Sequence, residues 1–490
     1  MAMIDVSGLT FAYDGSYDNI FEDAAFRIDT DWRLGFCGRN GRGKTTFLNL
    51  LMGRFEYRGK ISASVAFEYF PFEVENTGLD VLQVLLEIVP DAPHWQIEKE
   101  LSKLAVGLDV LERPFATLSG GERTKVLLAA LFLRENSFLL IDEPTTHLDM
   151  HGRETVARYL KGKKGFILVS HDRDFLDECV NHVLSINKTN IEVQSGNFSS
   201  WFHNKQLRDG FEIAENERLK KDISRLQAAA KKTAAWSDKA ERTKIGFSPN
   251  GDVEKHVNRR AYVGEKSRKM MARSKSISER RERAVQEKSD LLKNIDTADK
   301  LKIHPLKYHA PRLIELDGVT ISYGEKTVLR DFALTISGGE RVALMGGNGC
   351  GKSSIIKMIV ARDENIPHGL KISYVPQDAS FLTGGLSDYA AARKIDEPLF
   401  KAILRKLDFS RTQFDKDIRS FSSGQKKKVL IAASLCEHAH IYIWDEPLNY
   451  IDILSRIQIE ELLQQYQPTM LFVEHDRAFC RNVPTREVRL

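Results

Sequence analysis

A chain of 490 residues with 42% apolar and 29% charged residues has ordinary globular composition and room for two or three domains, each with its own core. The net charge of +4 decides little alone, but residues 201–310 hold 27 Lys/Arg against 16 Asp/Glu, or +11, which leaves −7 for the other 380 and points to a polyanionic partner for the middle. MAMIDVSGLTFAYDG lacks a charged-then-apolar leader, no apolar run approaches the ~18 residues of a membrane span, and Cys37, Cys179, Cys350, Cys436 and Cys480 lack CxxC pairing; a secreted, membrane-spanning or zinc-bound protein is therefore not expected, and a reducing cytoplasm is.

In chain order, WRLGFCG (32–38) reads as a short buried strand ending in glycine, and KTTFLNLLMG (44–53) as a helix. Between them GRNGRGKTT (38–46) completes the pattern G-x-x-x-x-G-K-[ST]. Gly38, Asn40, Gly41 and Gly43 would bring backbone N–H groups onto phosphate at a helix N-terminus. Lys44 would reach the β/γ-phosphates, Thr45 would ligate Mg²⁺, and Thr46 completes the loop. FLLID (138–142) reads as a central parallel strand tipped by Asp142, placed to hold Mg²⁺, with Glu143 as general base for the attacking water. His171, after a short apolar run, could hydrogen-bond the γ-phosphate.

After SGNFSSWF (195–202) the periodicity becomes helical. Leu219, Ile223, Leu226 and Ala230 form one narrow stripe, and Met270, Ile277, Ala284 and Leu291 another, as in an antiparallel hairpin with one buried seam. A first helix near 206–243 and a turn at IGFSPNGD (245–252) are expected. Residues 231–281 hold 15 Lys/Arg and 6 Asp/Glu, with aromatic residues interleaved. Candidate RNA contacts are Lys244, Phe247, His256, Arg259, Arg260, Tyr262, Lys266, Arg268 and Lys269, since cations neutralise phosphates and aromatics stack on bases.

Beyond the linker every motif returns. GGNGCGKSS (346–354) supplies Gly346, Asn348, Gly349, Gly351, Lys352, Ser353 and Ser354; IYIWD (441–445) ends in Asp445 and is followed by Glu446; FVEHDRAF (472–479) supplies His475. Offsets of 308 for the lysines, 303 for the acidic pairs and 304 for the histidines indicate a duplicated domain. The expected fold class is α/β: two tandem P-loop ATPase domains, at 1–203 and 302–490, joined by a basic helical hairpin at 204–301 with its tip near 244–262.

LSGGE (118–122) and FSSGQ (421–425) resemble the signature motif of ATP-binding cassette (ABC) ATPases, in which the signature of one domain caps the ATP on the other. The resemblance implies that Ser119, Gly120 and Gly121 close on the Gly346–Ser353 loop, and Ser422, Ser423 and Gly424 on Gly38–Thr45. ATP and Mg²⁺ would be clamped in an intramolecular cassette dimer of a monomeric chain. Tyr13 and Tyr323 stand where the family places an adenine-stacking aromatic. Gln377 matches the Q-loop residue that links Mg²⁺ and water, whereas the first half has Phe72 there. Leu448 replaces Thr145, and Ser423 a signature glycine, so two hydrolytic sites of unequal rate are expected.

Two cassettes and a charged helical linker resemble the ABC-F subfamily, and YVGEKSRKMMARSKSISERR (262–281) is similar to its Lsa-like ribosome-protection branch. That resemblance implies a linker inserted through the tRNA exit-side site, touching 23S rRNA near the peptidyl-transferase centre and the P-site tRNA. It also implies resistance to lincosamides, streptogramins A and pleuromutilins. A housekeeping ABC-F translation factor shares this chemistry, and an energising subunit of a membrane transporter is a further alternative.

Overall fold

The computed structural model describes residues 2–13, 19–187, 190–245, 275, 280, 301–323, 326–347, 349–362 and 366–490. The apolar runs ending in glycine or carboxylate form the centres of two parallel sheets, as strands covered on both faces must. The first sheet runs Ala66–Phe70, Ser137–Asp142, Phe166–Val169, Arg33–Cys37, His182–Asn187 and Asn190–Ser195, parallel except for the last pair. The second runs Ile372–Val375, Ile441–Asp445, Met470–Val473, Arg341–Met345 and Arg486–Arg489, parallel throughout. In both, the strand before the histidine lies between the phosphate-loop strand and the carboxylate strand. The loops leaving their C-terminal ends therefore meet, where open α/β sheets bind ligands. Separate antiparallel strands, Met3–Phe11 with Phe21–Asp29 and Arg58–Ser62, and Arg312–Tyr323 with Lys326–Ser337, accompany the two halves.

Packing fixes the phosphate-loop helix of the first half through Phe47, whose ring lies 5.5 Å from Phe36 and 6.1 Å from Phe21, all three fully buried. Each such side chain contributes roughly 2–3 kcal/mol of burial. In the second half the helix Ser423–Cys436 buries Val429, Leu430, Ile431 and Ala433 in one cluster with Trp444, Phe472 and Phe479. The signature helix is thus held against the carboxylate strand.

The chain forms two compact units, Met1–Trp201 with Ala298–Leu490, and Phe202–Thr297. The linker helix spans Phe198–Ile245, 48 residues and roughly 72 Å at 1.5 Å per residue. It starts ahead of the expected residue 206 because Asn197 caps it, accepting from Ser200 N at 3.1 Å. Phe198 and Trp201, both of the first unit, are buried beside one another, with ring centroids 5.5 Å apart. Leu301 and Ile303 are likewise buried in the second-half core, so that body begins before 302. Leu219 and Ile223 are half-buried. Asn348, Phe247, His256, Arg259, Arg260, Tyr262, Lys266, Arg268 and Lys269 lie outside the described residues, as does most of the segment where the second linker helix is expected. Lys244 and Tyr323 are placed in a helix and a strand, but their side chains lie outside the description.

Candidate active sites

Gly43 and Gly351 precede the helices Lys44–Leu51 and Lys352–Ala361 with φ of 89° and 102°. A Cβ at residue 43 would stand 2.5 Å from Ile20 Cγ2, so both the left-handed turn and the close approach require glycine. Positions 41 and 349 instead have nothing within 4 Å, which leaves the mouth of each loop open at a helix N-terminus. Lys44 Nζ donates to Gly38 O at 2.7 Å and Arg39 O at 3.2 Å; Lys352 Nζ donates to Gly346 O at 2.9 Å and Gly347 O at 2.7 Å. Each loop thereby folds around a buried ammonium. Tyr13 is 45% exposed, and its hydroxyl is 2.8 Å from Thr46 Oγ1, beside the first loop.

Thr45 Oγ1 donates to Asp142 Oδ2 at 3.1 Å, and Ser353 Oγ to Asp445 Oδ1 at 3.3 Å. Each pair brings a hydroxyl and a carboxylate oxygen together at the end of a phosphate loop, a donor set that fits Mg²⁺. Burial pushes both aspartate carboxyls up, a direction that a bound divalent cation reverses.

Glu143 and Glu446 follow in the left-handed region, with φ of 52° and 46°, a strained backbone for a non-glycine residue. Their N–H groups donate to Val169 O and Val473 O at 2.9 and 3.0 Å, so both side chains are aimed in the same way. His171 Nε2 lies 3.4 Å from Glu143 Oε1, and His475 Nε2 3.5 Å from Glu446 Oε1. Burial keeps His171 neutral, with its pKa well below the usual imidazole range. Beyond this the halves part. Burial, with Asp142 alongside, pushes Glu143 up to about 8. Burial would raise Glu446 too, but hydrogen bonds from His475, Gln377 and Asn449 hold it below the usual carboxylate range.

Ser119, Gly120 and Gly121 of the first half line a cavity of about 1070 Å³ together with Gly347, Gly349, Gly351, Lys352, Ser353, Ser354, Gln377, Glu446 and His475 of the second. On the other side Asn40 Nδ2 donates across the halves to Tyr450 O at 2.8 Å, and Gly424 packs against both groups. The fold therefore brings each signature to the opposite phosphate loop. Ser119 and Ser422 each accept from the N–H three residues on, Glu122 and Gln425, while those side chains accept from the serine N–H groups. These are capping boxes, and the spacing S-x-x-E/Q signals them in the sequence.

Other residues at the sites carry weaker signals. Asn449, three positions after Glu446, donates to its carboxylate at 2.7 Å. Tyr69 donates its hydroxyl to Asp142 Oδ2 at 3.1 Å. Lys427 and Arg153 are buried charges, and only the tertiary structure gives them partners.

With this geometry in place, known proteins supply the family. Residues 21–146 and 329–449 match the family described as ABC transporter, half of the chain. The chain belongs to that family. It is similar to the ribosome protection protein VmlR of Bacillus subtilis (strain 168), 27% identical over 481 residues that cover 96% of this chain and 83% of that one. It is also similar to the ATP-binding protein Uup of Buchnera aphidicola, 25% identical over 517 residues, 98% of this chain and 79% of the other. A solved structure of archaeal ribosome recycling factor aABCE1, in complex with the stalk protein aP1, has the same fold, with a TM-score of 0.62. Identity there is 19%, over 98% of this chain and 87% of that one. The chain is also similar to ABC transporter F family member 2 of Arabidopsis thaliana, 22% identical over 550 residues, 99% of this chain and 76% of the other. As an ABC ATPase it uses ATP with Mg²⁺ and forms ADP and phosphate. No helix among the described residues is long and apolar enough to cross a membrane.

Proposed function

We propose that this ATPase protects cytoplasmic ribosomes from peptidyl-transferase-centre antibiotics, its basic linker entering through the tRNA exit-side site. The observation that carries the reading is the +11 segment 201–310 between two ATP-binding halves, in a chain that matches a ribosome protection protein over 96% of its length. A concentration of Lys/Arg of this size suits a polyphosphate surface such as 23S rRNA and P-site tRNA. The drugs concerned are lincosamides, streptogramins A and pleuromutilins, and the working tip is the segment near 244–262.

In this reading the loops Gly38–Thr45 and Gly346–Ser353 bind the ATP phosphates through backbone N–H groups, with Lys44 and Lys352 against the negative charge. Tyr13 and Tyr323 stack on adenine. Thr45 with Asp142, and Ser353 with Asp445 and Gln377, would hold Mg²⁺, which would supply positive charge against the phosphates. The opposite signatures, Ser119 to Gly121 and Ser422 to Gly424, close each site. The oxygen of the attacking water bonds to the γ-phosphorus, the bond to the bridging oxygen of ADP breaks, and the water proton passes to Glu143 or Glu446. His171 and His475 orient the γ-phosphate. ATP binding draws the halves together and stabilises the ribosome-bound form; hydrolysis releases it.

The test expresses the chain in a drug-sensitive host and measures inhibitory concentrations alongside ATP-dependent ribosome co-sedimentation. Raised values for the three drug classes are expected. Unchanged values with retained ribosome binding would leave the housekeeping reading.

A further inference from the structure

The halves aim their catalytic carboxylates with the same backbone conformation but surround them with different donors. Glu446 Oε2 accepts from Gln377 Nε2 at 3.0 Å and from Asn449 Nδ2 at 2.7 Å. Behind it Lys427, 3% exposed, donates through Nζ to Pro376 O at 2.9 Å and to Glu446 O at 3.0 Å. One ammonium thus ties the segment carrying Gln377 to residue 446 itself. The first half has Phe72, Thr146 and Thr124 at these three places. Phe72 has no donor. Thr146 Oγ1 donates to the Glu143 carbonyl at 3.1 Å, and Thr124 Oγ1 to Gly120 O at 3.0 Å. Glu143 Oε1 lies 3.4 Å from His171 Nε2, as Glu446 Oε1 does from His475, but among the described residues no side-chain amide donates to the Glu143 carboxylate, and 24% of its side chain remains open to solvent.

We propose that Lys427, Gln377 and Asn449 are positioning residues that clamp Glu446, so that the site on Lys352 hydrolyses ATP quickly while the site on Lys44 holds its ATP through many cycles. The inference rests on the reading of Glu143 and Glu446 as general bases. Two fixed amide donors on Oε2 give the Glu446 carboxylate one orientation and leave Oε1 for the water and for His475. A base held in one orientation spends more of its time within reach of the proton it takes, an advantage that general-base catalysis converts directly into rate. In the first site no side-chain amide among the described residues donates to the carboxylate, and Tyr69 already occupies an oxygen of the neighbouring Asp142. The slow site then serves as a clasp between the halves while the other cycles.

The experiment uses the full-length protein and isolates each site. Glu446→Gln should lower kcat at least about fivefold more than Glu143→Gln does. In the Glu143→Gln background, Lys427→Thr should lower the remaining kcat about tenfold, and Lys427→Arg should restore most of it. Affinity for a non-hydrolysable ATP analogue, measured by calorimetry, should move less than about twofold, because the clamp acts on the carboxylate and not on the phosphate loop. In the Glu446→Gln background, Phe72→Gln with Thr146→Asn should raise kcat, a gain that no folding defect can imitate. Equal losses from the two single glutamine variants would overturn the proposal. So would analogue affinity falling in step with kcat, or no gain from the transplanted donors. Turnover that survives the double glutamine variant would instead remove the general-base reading beneath it.

Discussion

Glu143 and Glu446 leave the backbone in the same left-handed conformation, and neither side chain supports a core. Exchanging both for Gln should therefore abolish turnover and leave the phosphate loops able to bind ATP. The double variant should stay on ribosomes with ATP present; finding it free in sedimentation would break the proposed coupling of ATP binding to ribosome binding. Glu100 shows a different use of a carboxylate. It accepts from Lys163 Nζ at 2.6 Å, Lys103 Nζ at 2.7 Å and the Tyr159 hydroxyl at 2.5 Å. Burial alone would raise its pKa, but these donors bring it from the ordinary 4.5 down to about 2. The folded form favours the ionised carboxyl, so its contribution is complete above pH 4.5 and is lost as pH falls toward 2. Glu100→Gln should cost up to about 3 kcal/mol at pH 7 and clearly less at pH 3, read from urea unfolding at the two pH values. Equal losses would assign the effect to packing rather than charge.

At the scale of elements, the signature helices depend on their first turns. A Cβ at residue 424 would stand 2.4 Å from Tyr450 O and 3.3 Å from Asn40 Nδ2. The first of these is a backbone oxygen that cannot swing aside, so Gly424→Ala must push the signature away from the opposite phosphate loop. The nucleotide on Lys44 would then no longer clasp the halves together for the faster site, so ATPase activity should fall about tenfold or more, a barrier increase of ~1.4 kcal/mol, with the melting temperature little changed. Unaltered activity would mean that the helix can shift freely. These contacts were only partly legible in the sequence. The glycines and serines stand out as a pattern, and the capping boxes follow from spacing. That Tyr450 lends its carbonyl to Asn40, 410 residues away, follows from no local rule.

At the scale of the whole molecule, the two halves meet through charges as well as through nucleotide-site residues. Arg477 pairs with Glu154 and, at 3.1 Å, with Glu178; Arg481 pairs with Asp174 at 3.3 Å; Arg173 pairs with Glu460. Arg153, buried in the first half, donates to Asp172 at 2.9 Å and to the backbone oxygen of His475 at 3.1 Å. It thereby connects one half to the histidine of the other. The linker provides the second charge-based prediction. Replacing Arg259, Arg260, Lys266 and Lys269 together by Ala should weaken ribosome binding and flatten its salt dependence, since fewer counterions are released from RNA. ATPase activity without ribosomes should be nearly unaffected; unaltered ribosome affinity would mean that these cations only face water. Shortening 245–256 to a tight turn should leave co-sedimentation intact and lower resistance, because each lost residue removes up to ~3.3 Å of reach. Full resistance with the shortened loop would show that the tip is not the working end.

The sequence by itself determined the duplicated α/β architecture, the phosphate loops and the carboxylates, while the opposition of the signatures came only from the resemblance to ABC ATPases. Those three depend on local patterns, namely glycines that a tight loop requires, apolar runs that a covered parallel strand requires, and a spacing repeated over about 304 residues. It also exposed one half of the asymmetry, Phe72 against Gln377. The remaining half was decided by the tertiary structure. Lys427 reads as one more cation in KKK, and Asn449 as one more turn residue, until the parallel sheet sets the Gln377 segment beside the carboxylate strand and the helix Ser423–Cys436 packs behind it. A buried donor acquires its partner only when two segments distant in the chain are brought within about 3 Å, and no pattern along one segment encodes that distance.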